Sequence, residues 1–244
     1  MPRYIMTLLA MTLALPVPAC PHLELGTPAA SDQILCREGY ALGYSYALKS
    51  AEWVAYRLER ETRPGVVRQD SFRPDPDLPV RYQTTPADYD EPVYHQGHLA
   101  NSESIDRTVT ANAETFLMSN IVPQLPRHNT GIWKGLENRE RKWADRFGEV
   151  WVFQGVLYEP QPETIGNRVP VPDAFWKVVY EPQGQRAISY LIPHRPLYTR
   201  DLPRYRTSVD VIEAAAGMDL LSSLPTEQQA QIEAKPEPYQ WPTR

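Results

Sequence analysis

A chain of 244 residues that is 42% hydrophobic and 23% charged has the composition of a soluble globular protein, long enough to bury a core in one domain, with two not excluded. Its formal charge of −5 excludes a uniformly basic nucleic-acid-binding surface but leaves room for a local basic groove, since steering depends on where charge sits. The 25 prolines, roughly twice the usual ~5%, are spread along the chain and read as many irregular connections rather than one linker.

Met1-Pro2-Arg3 carries a positive charge, and an apolar run from Tyr4 to Val17 follows, closed by the small-residue site Val17-Pro18-Ala19. That pattern predicts a secretory signal peptide over 1–19, cleaved near Ala19, and a secreted or periplasmic protein. The alternative is a buried N-terminal helix. At about fifteen residues the run is short for a membrane span, which needs about 20, so no stable membrane insertion is expected. The two cysteines, Cys20 and Cys36, most simply form one disulfide in an oxidising compartment. Lipidation of Cys20 is the alternative, because Val-Pro-Ala-Cys loosely resembles a lipobox.

Residues 35–60 read as strand or helix, with a strand favoured by Trp53, Ala55, Tyr56 and Leu58. Residues 63–92 are proline-rich and irregular. A short helix is predicted from Thr108 to Glu114 and a short buried strand from Phe116 to Ile121. The strongest helix spans 129–147, with Ile132, Leu136, Trp143 and Phe147 along one stripe and Gly148 as its stop. Strands follow at Val150–Tyr158, Phe175–Val179 and Ala187–Ile192, then a helix from Thr207 to Ala216. A single domain is expected over 20–228, with a poorly ordered tail over 229–244. Strands and helices mix without regular alternation, which favours the α+β class.

On an ideal helix Glu137 lies about 80° round from Asn129, and Arg141 about 40° further, so all three can face one cleft. Read alone, Asn129 is an N-cap and Glu137–Arg141 an exposed ion pair. Gly97-His98 upstream and the blocks around it change that reading. Arg68-x-Asp70-x-Phe72-x-x-Asp75-x-x-Leu78-Pro79, Tyr94-His95-Gln96-Gly97-His98-Leu99-Ala100, the Asn112 and Glu114 pair, Thr115-Phe116-x-x-Ser119-Asn120-x-x-Pro123-Gln124, Asn129-x-Gly131-x-Trp133-x-x-Leu136-Glu137, Gly155-x-Leu157-Tyr158, Val171-Pro172-x-x-Phe175-x-Lys177-Val178 and Glu213-x-x-x-Gly217-Met218 occur in one order. Together they resemble the DNA/RNA non-specific endonucleases of the ββα-metal type, in a secreted bacterial branch.

The resemblance implies a central, mostly antiparallel sheet flanked by helices, with a ββα-metal (His-Me finger) unit at about 94–147. It implies an endonuclease that hydrolyses DNA and RNA. His98 would be the general base and Asn129 the direct ligand of Mg²⁺, with Mn²⁺ or another hard divalent ion as substitutes. Glu137 would hydrogen-bond the metal's waters, Arg141 and Arg68 would neutralise the charge developing on the phosphate, and Asn120 would orient groups in the cleft. One departure stands out: the family's Asp-Arg-Gly-His signature reads His95-Gln96-Gly97-His98 here. The arginine that helps hold phosphate is absent, which puts the full catalytic rate in question.

Lys134, Arg139, Arg141, Lys142 and Arg146, with Arg127 and His128 before them, form a basic strip suited to phosphate contacts that read no sequence. It is equally what a solvated helix face looks like. His22 and His194 read as structural or exposed, and the six tryptophans as core or cleft wall. Two competing readings remain: a catalytically weakened or inactive descendant that binds nucleic acid or a partner protein, and a zinc hydrolase using His95 and His98.

Overall fold

The apolar run beginning at Val150 has no polar side. Successive residues of a strand point to opposite faces, so such a run is buried only if both faces of its sheet are covered. The computed structural model, which describes residues 20–62, 64–90, 92–237 and 241–242, shows both faces covered. The expected signal peptide at 1–19 lies outside the described residues.

The chain opens with β1 (Gln33–Cys36), β2 (Ala41–Ser45) and β3 (Ser50–Glu59), a meander of antiparallel strands. An irregular stretch leads to β4 (His95–His98), α1 (Val109–Glu114), β5 (Ile121–Gln124) and α2 (Lys134–Phe147). Then come β6 (Glu149–Leu157), the short β7 (Thr164–Ile165) and β8 (Val169–Pro170), β9 (Ala174–Glu181) and β10 (Arg186–Pro193). β11 (Arg206–Thr207), α3 (Val209–Ala216) and α4 (Thr226–Glu233) complete the fold. The main sheet has seven strands in the order β1-β2-β3-β6-β9-β10-β11, antiparallel at every junction. This is the expected α+β class.

One sheet face, with Val54, Tyr56, Val152 and Val179, packs against Ile132, Trp133, Leu136 and Trp143 of the α2 region. The other, with Trp53, Trp151, Phe153 and Trp176, packs against Val209, Ile212, Leu221 and Ile232. β4 and β5 form a separate two-stranded arm. Its underside rests on a satellite cluster of Tyr89, Met118, Ile121 and Val169.

Local signals set several boundaries. Thr108 and Ser208 accept hydrogen bonds from Ala111 and Val211 and so cap α1 and α3. Gly148, at φ 94°, ends α2 where a side chain would be strained.

Three expectations are corrected. Met118–Asn120 forms a tight 3₁₀ turn, closed by Asn120 N–H donating to Leu117 at 2.9 Å, so the buried strand begins only at Ile121. The long helix starts as a π-helical turn over His128–Trp133 before α2. The tail over 229–244 is not loose where described. α4 runs to Glu233, and Trp241 is 2% exposed, with its ring 5.2 Å from those of Trp143 and Phe147. Burying an indole removes a large apolar surface from water. Cys20 and Cys36 are joined as a disulfide, which leaves no free Cys20 thiol for a lipid.

Candidate active site

β4 pairs with β5 so that Gly97 faces Val122 and His98 faces Ile121. A Cβ on residue 97 would lie 2.3 Å from Gln124 Oε1 and 2.6 Å from Gln124 Cβ, so glycine is what lets the arm close. His98 ends β4 and is 8% exposed. Its ring stands edge-on to Phe116 at 5.0 Å and tilted against Phe72 at 5.5 Å. Its Nε2 is buried with no hydrogen-bond partner among the described residues. Burial, and then the Arg68 guanidinium, lower its pKa to about 3 against a smaller opposing pull from Asp70. The ring is therefore neutral at neutral pH, with acceptor capacity to spare.

Arg68 keeps its place beside His98 through Asp70 (2.8 Å), Ser102 Oγ (3.1 Å) and the Phe116 ring, 5.1 Å beneath it. Asn120 is committed elsewhere. Its Oδ1 accepts from Ala100 N–H at 2.8 Å, and its Nδ2 donates to the carbonyls of Ala100 and Thr115, each at 2.9 Å. It thus fixes the backbone just after His98 and presents nothing to the cleft.

Asn129 sits inside the π-helical turn, partly exposed, and the cap position belongs to Arg127. The turn changes the residue spacing, so the ideal 80° offset from Glu137 does not hold. Its amide Nδ2 lies 3.3 Å from His95 Nδ1. By strand alternation His95 and His98 point to opposite faces. One meets Asn129 and the other the Phe72–Phe116 pocket. A zinc ion shared by the two is thereby excluded, and among the described residues neither belongs to a cluster of three potential ligands.

Glu137 is buried on α2, and its pKa is raised to about 7: burial raises it most, Glu140 raises it further, and Lys177, Arg141 and a hydrogen bond from Asn101 pull the other way. Arg141 is fixed by Asn101 Oδ1 and Ser104 Oγ, both at 3.2 Å, and by Glu103 at 2.9 Å. Beneath them lies a fully buried polar layer. Glu140 accepts from Tyr56 Oη (2.9 Å), from Ser104 Oγ (2.8 Å) and from the Lys177 ammonium. Lys177 also stands 4.8 Å over the Trp133 ring. Gln154, the Cα partner of Lys177 across β6 and β9, donates to the Leu99 carbonyl. The sheet thus braces both the helix bearing Glu137 and the loop leaving His98.

The structure accordingly places Arg68 at His98, and Glu137 with Arg141 around Asn101, while Asn129 joins His95 instead. The basic strip loses His128, which is fully buried against Gln124 at 2.8 Å and, through desolvation, has its pKa lowered to about 3. His22 and His194 hold backbone groups, as expected. Sequence reasoning missed Asn101, Ser104, Glu140, His95 as a neighbour of Asn129, and any role for Lys177. Glu140 is three residues from Glu137 on the same helix, and Lys177 stands in a motif already singled out, so both carried a signal. A cavity of about 920 Å³ opens beyond Arg141 but is lined by neither His98, Asn129 nor Glu137.

The family model for DNA/RNA non-specific endonuclease matches residues 20–227. The chain belongs to that family. This nuclease is 33% identical over 237 residues to "Nuclease" of Nostoc sp., covering 88% of this chain and 85% of the relative. It is 29% identical over 222 residues to "Nuclease" of Serratia marcescens, covering 86% and 83%. It is 31% identical over 212 residues to human mitochondrial Endonuclease G, covering 80% and 71%. In fold it is similar to endonuclease G in the crystal structure of the EndoG/EndoGI complex, with a TM-score of 0.78 at 23% identity over 88% of this chain and 96% of that one.

The family is divalent-metal dependent in general, and the donor set fits a hard cation. Asn129 offers a partly exposed amide oxygen, and the Glu137 carboxyl, raised to about 7, has charge to gain from a nearby cation.

Proposed function

We propose that this nuclease is a secreted or periplasmic, Mg²⁺-dependent endonuclease that cleaves the phosphodiester bonds of DNA and RNA without sugar specificity. The observation that carries the reading is His98: a neutral imidazole wedged between Phe72 and Phe116, with a buried nitrogen that no group among the described residues satisfies. His98 takes the proton from a water that attacks phosphorus in line. A phosphodiester anion beside the ring raises its pKa from the value it has alone, which strengthens the base when substrate is seated. Asn129 would hold the metal through its amide oxygen, with Glu137 hydrogen-bonding the ion's waters. When bound, the ion supplies positive charge at the leaving 3′ oxygen.

Arg68, half exposed and paired only with buried Ser102 and exposed Asp70 among the hydrogen bonds described, turns readily to a phosphate oxygen. Arg141 is held more firmly and adds a second positive charge. Lys134, about 60° round α2 from Glu137 and exposed, would contact the nucleic-acid backbone without reading bases, which suits substrate breadth. The disulfide supports export to an oxidising compartment.

The test is cleavage of plasmid DNA and single-stranded RNA with Mg²⁺ or with chelator. His98→Ala should lose about 10²–10⁴-fold in rate, and Asn129→Ala should need far more Mg²⁺. Cleavage that survives chelation refutes the metal dependence. An undiminished His98→Ala variant overturns the assignment of the base.

A further inference from the structure

On the sheet face away from α2, helices α3 and α4 bring three carboxylates together. Asp210 and Glu213 are three residues apart on α3 and therefore share a face, and Glu233 is the last residue of α4. One carboxylate oxygen from each lies within 4.8 Å of the others. Acidic clusters on a surface are common, but two features set this one apart. Glu233 is only 6% exposed, and its Oε1 is shut away from solvent with no hydrogen-bond partner among the described residues. The charged groups that act on Glu233 are all acidic (Glu213, Asp210 and Asp219), and those that act on Glu213 are Asp219 and Asp210. Burial leads the upward pull on both carboxyls, and that of Glu233 reaches about 7. The buried carboxylates elsewhere have cations to answer them, Lys177 for Glu140 and Arg37 for Asp75. A desolvated carboxylate left without a counter-charge costs several kcal/mol, so the cluster is built for a charge that the described residues do not supply.

We propose that Asp210, Glu213 and Glu233 bind a calcium ion that clasps α3 to α4 against the sheet. The donors are all hard oxygens, which exclude ions that prefer nitrogen or sulfur. Calcium takes about six to eight oxygens in flexible geometry, whereas magnesium demands a near-ideal octahedron and keeps several of its waters. Three carboxylates from two helices, with oxygens within 4.8 Å of one another, therefore suit calcium better. Ile212 and Ile232, from the two helices, pack in the same core layer as Trp151 and Trp176. The ion would therefore fix the C-terminal helices onto the sheet, on the face opposite Asn129, as a structural site separate from catalysis.

The experiment is thermal unfolding of the mature protein in chelator, in magnesium and in calcium, for wild type, Glu233→Gln and Asn129→Ala. Wild type and Asn129→Ala should gain about 3–6 °C at a tenfold excess of calcium over its dissociation constant, and less in magnesium. Glu233→Gln removes the repulsion, so it should unfold no lower than wild type in chelator and show no response to calcium. A wild-type midpoint that ignores calcium refutes the site, and so does a calcium response that persists in Glu233→Gln. A midpoint that rises in Glu233→Gln while wild type ignores calcium also refutes it, and assigns the cluster to carboxyls that share a proton.

Discussion

Lys177→Met tests whether the buried layer beneath the active site holds it together. Lys177 and Glu140 are both fully buried, so the variant leaves a carboxylate in the core without its ammonium. Breaking a buried pair from one side costs about 3–5 kcal/mol. The hydrogen bonds from Tyr56 at 2.9 Å and Ser104 at 2.8 Å stay in place and favour the lower end of that range. The lost contact with the Trp133 ring adds about 0.5–2 kcal/mol. A total near 4 kcal/mol corresponds, for a domain of this size, to a melting point lower by about 8–16 °C.

The same change reaches the chemistry. Lys177 is the largest charge lowering the Glu137 pKa, so without it that pKa rises above about 7. Deprotonating Glu137 then needs higher pH, and the acid limb of the activity profile moves to the alkaline side. Urea unfolding and a pH–rate profile at saturating Mg²⁺ measure the two effects, and Glu140→Gln in the Lys177→Met background should recover most of the stability. A single variant within about 1 kcal/mol of wild type, or a double variant no better than the single, would show that the pair does not carry this weight.

Four further outcomes are expected. Gln96→Arg restores a phosphate-binding cation and should raise cleavage about tenfold, the worth of one charge-assisted hydrogen bond; an unchanged rate means that another residue already fills the role. Asn120→Ala strips partners from the backbone of Ala100 and Thr115 and should cost about 3 kcal/mol in unfolding, with cleavage falling although Asn120 faces no substrate. His98 and His128 titrate near 3 in the fold, below the ordinary value of about 6.5. The unfolded chain therefore takes up protons that the native one refuses. The stability they contribute is complete above pH 6.5 and is lost toward pH 3, at up to about 1.4 kcal/mol per pH unit for each; unfolding measured across that range should flatten in His128→Phe. Reducing the Cys20–Cys36 bridge, which closes a loop of 16 residues, should cost about 3 kcal/mol, read as a lower melting point in dithiothreitol.

The elements that were legible in sequence owe their form to short-range causes. β6 is apolar on both faces, α2 carries an apolar stripe and ends at Gly148, and α1 and α3 open on Thr108 and Ser208. Likewise His98, Asn129, Glu137 and Arg141 stand in local motifs that could be matched block by block. The π-helical turn at Asn129 was not legible, because its wider hydrogen-bonded ring differs from an α turn in packing rather than in composition. The tail was misread because its polar residues say nothing of where Trp241 lands.

The residues alone determined that this chain carries a histidine, an asparagine and a charged helix in the order of the nuclease family, within an α+β fold. Only the tertiary structure decided how those groups are held. The β6–β9 register sets Lys177 beneath Glu140, the packing of Phe72 and Phe116 at the end of β4 wedges His98 between two rings, and the meeting of α3 with α4 gathers three acids. Each of these joins residues far apart in the chain. A pair's energy then depends on burial and distance, which no local pattern encodes.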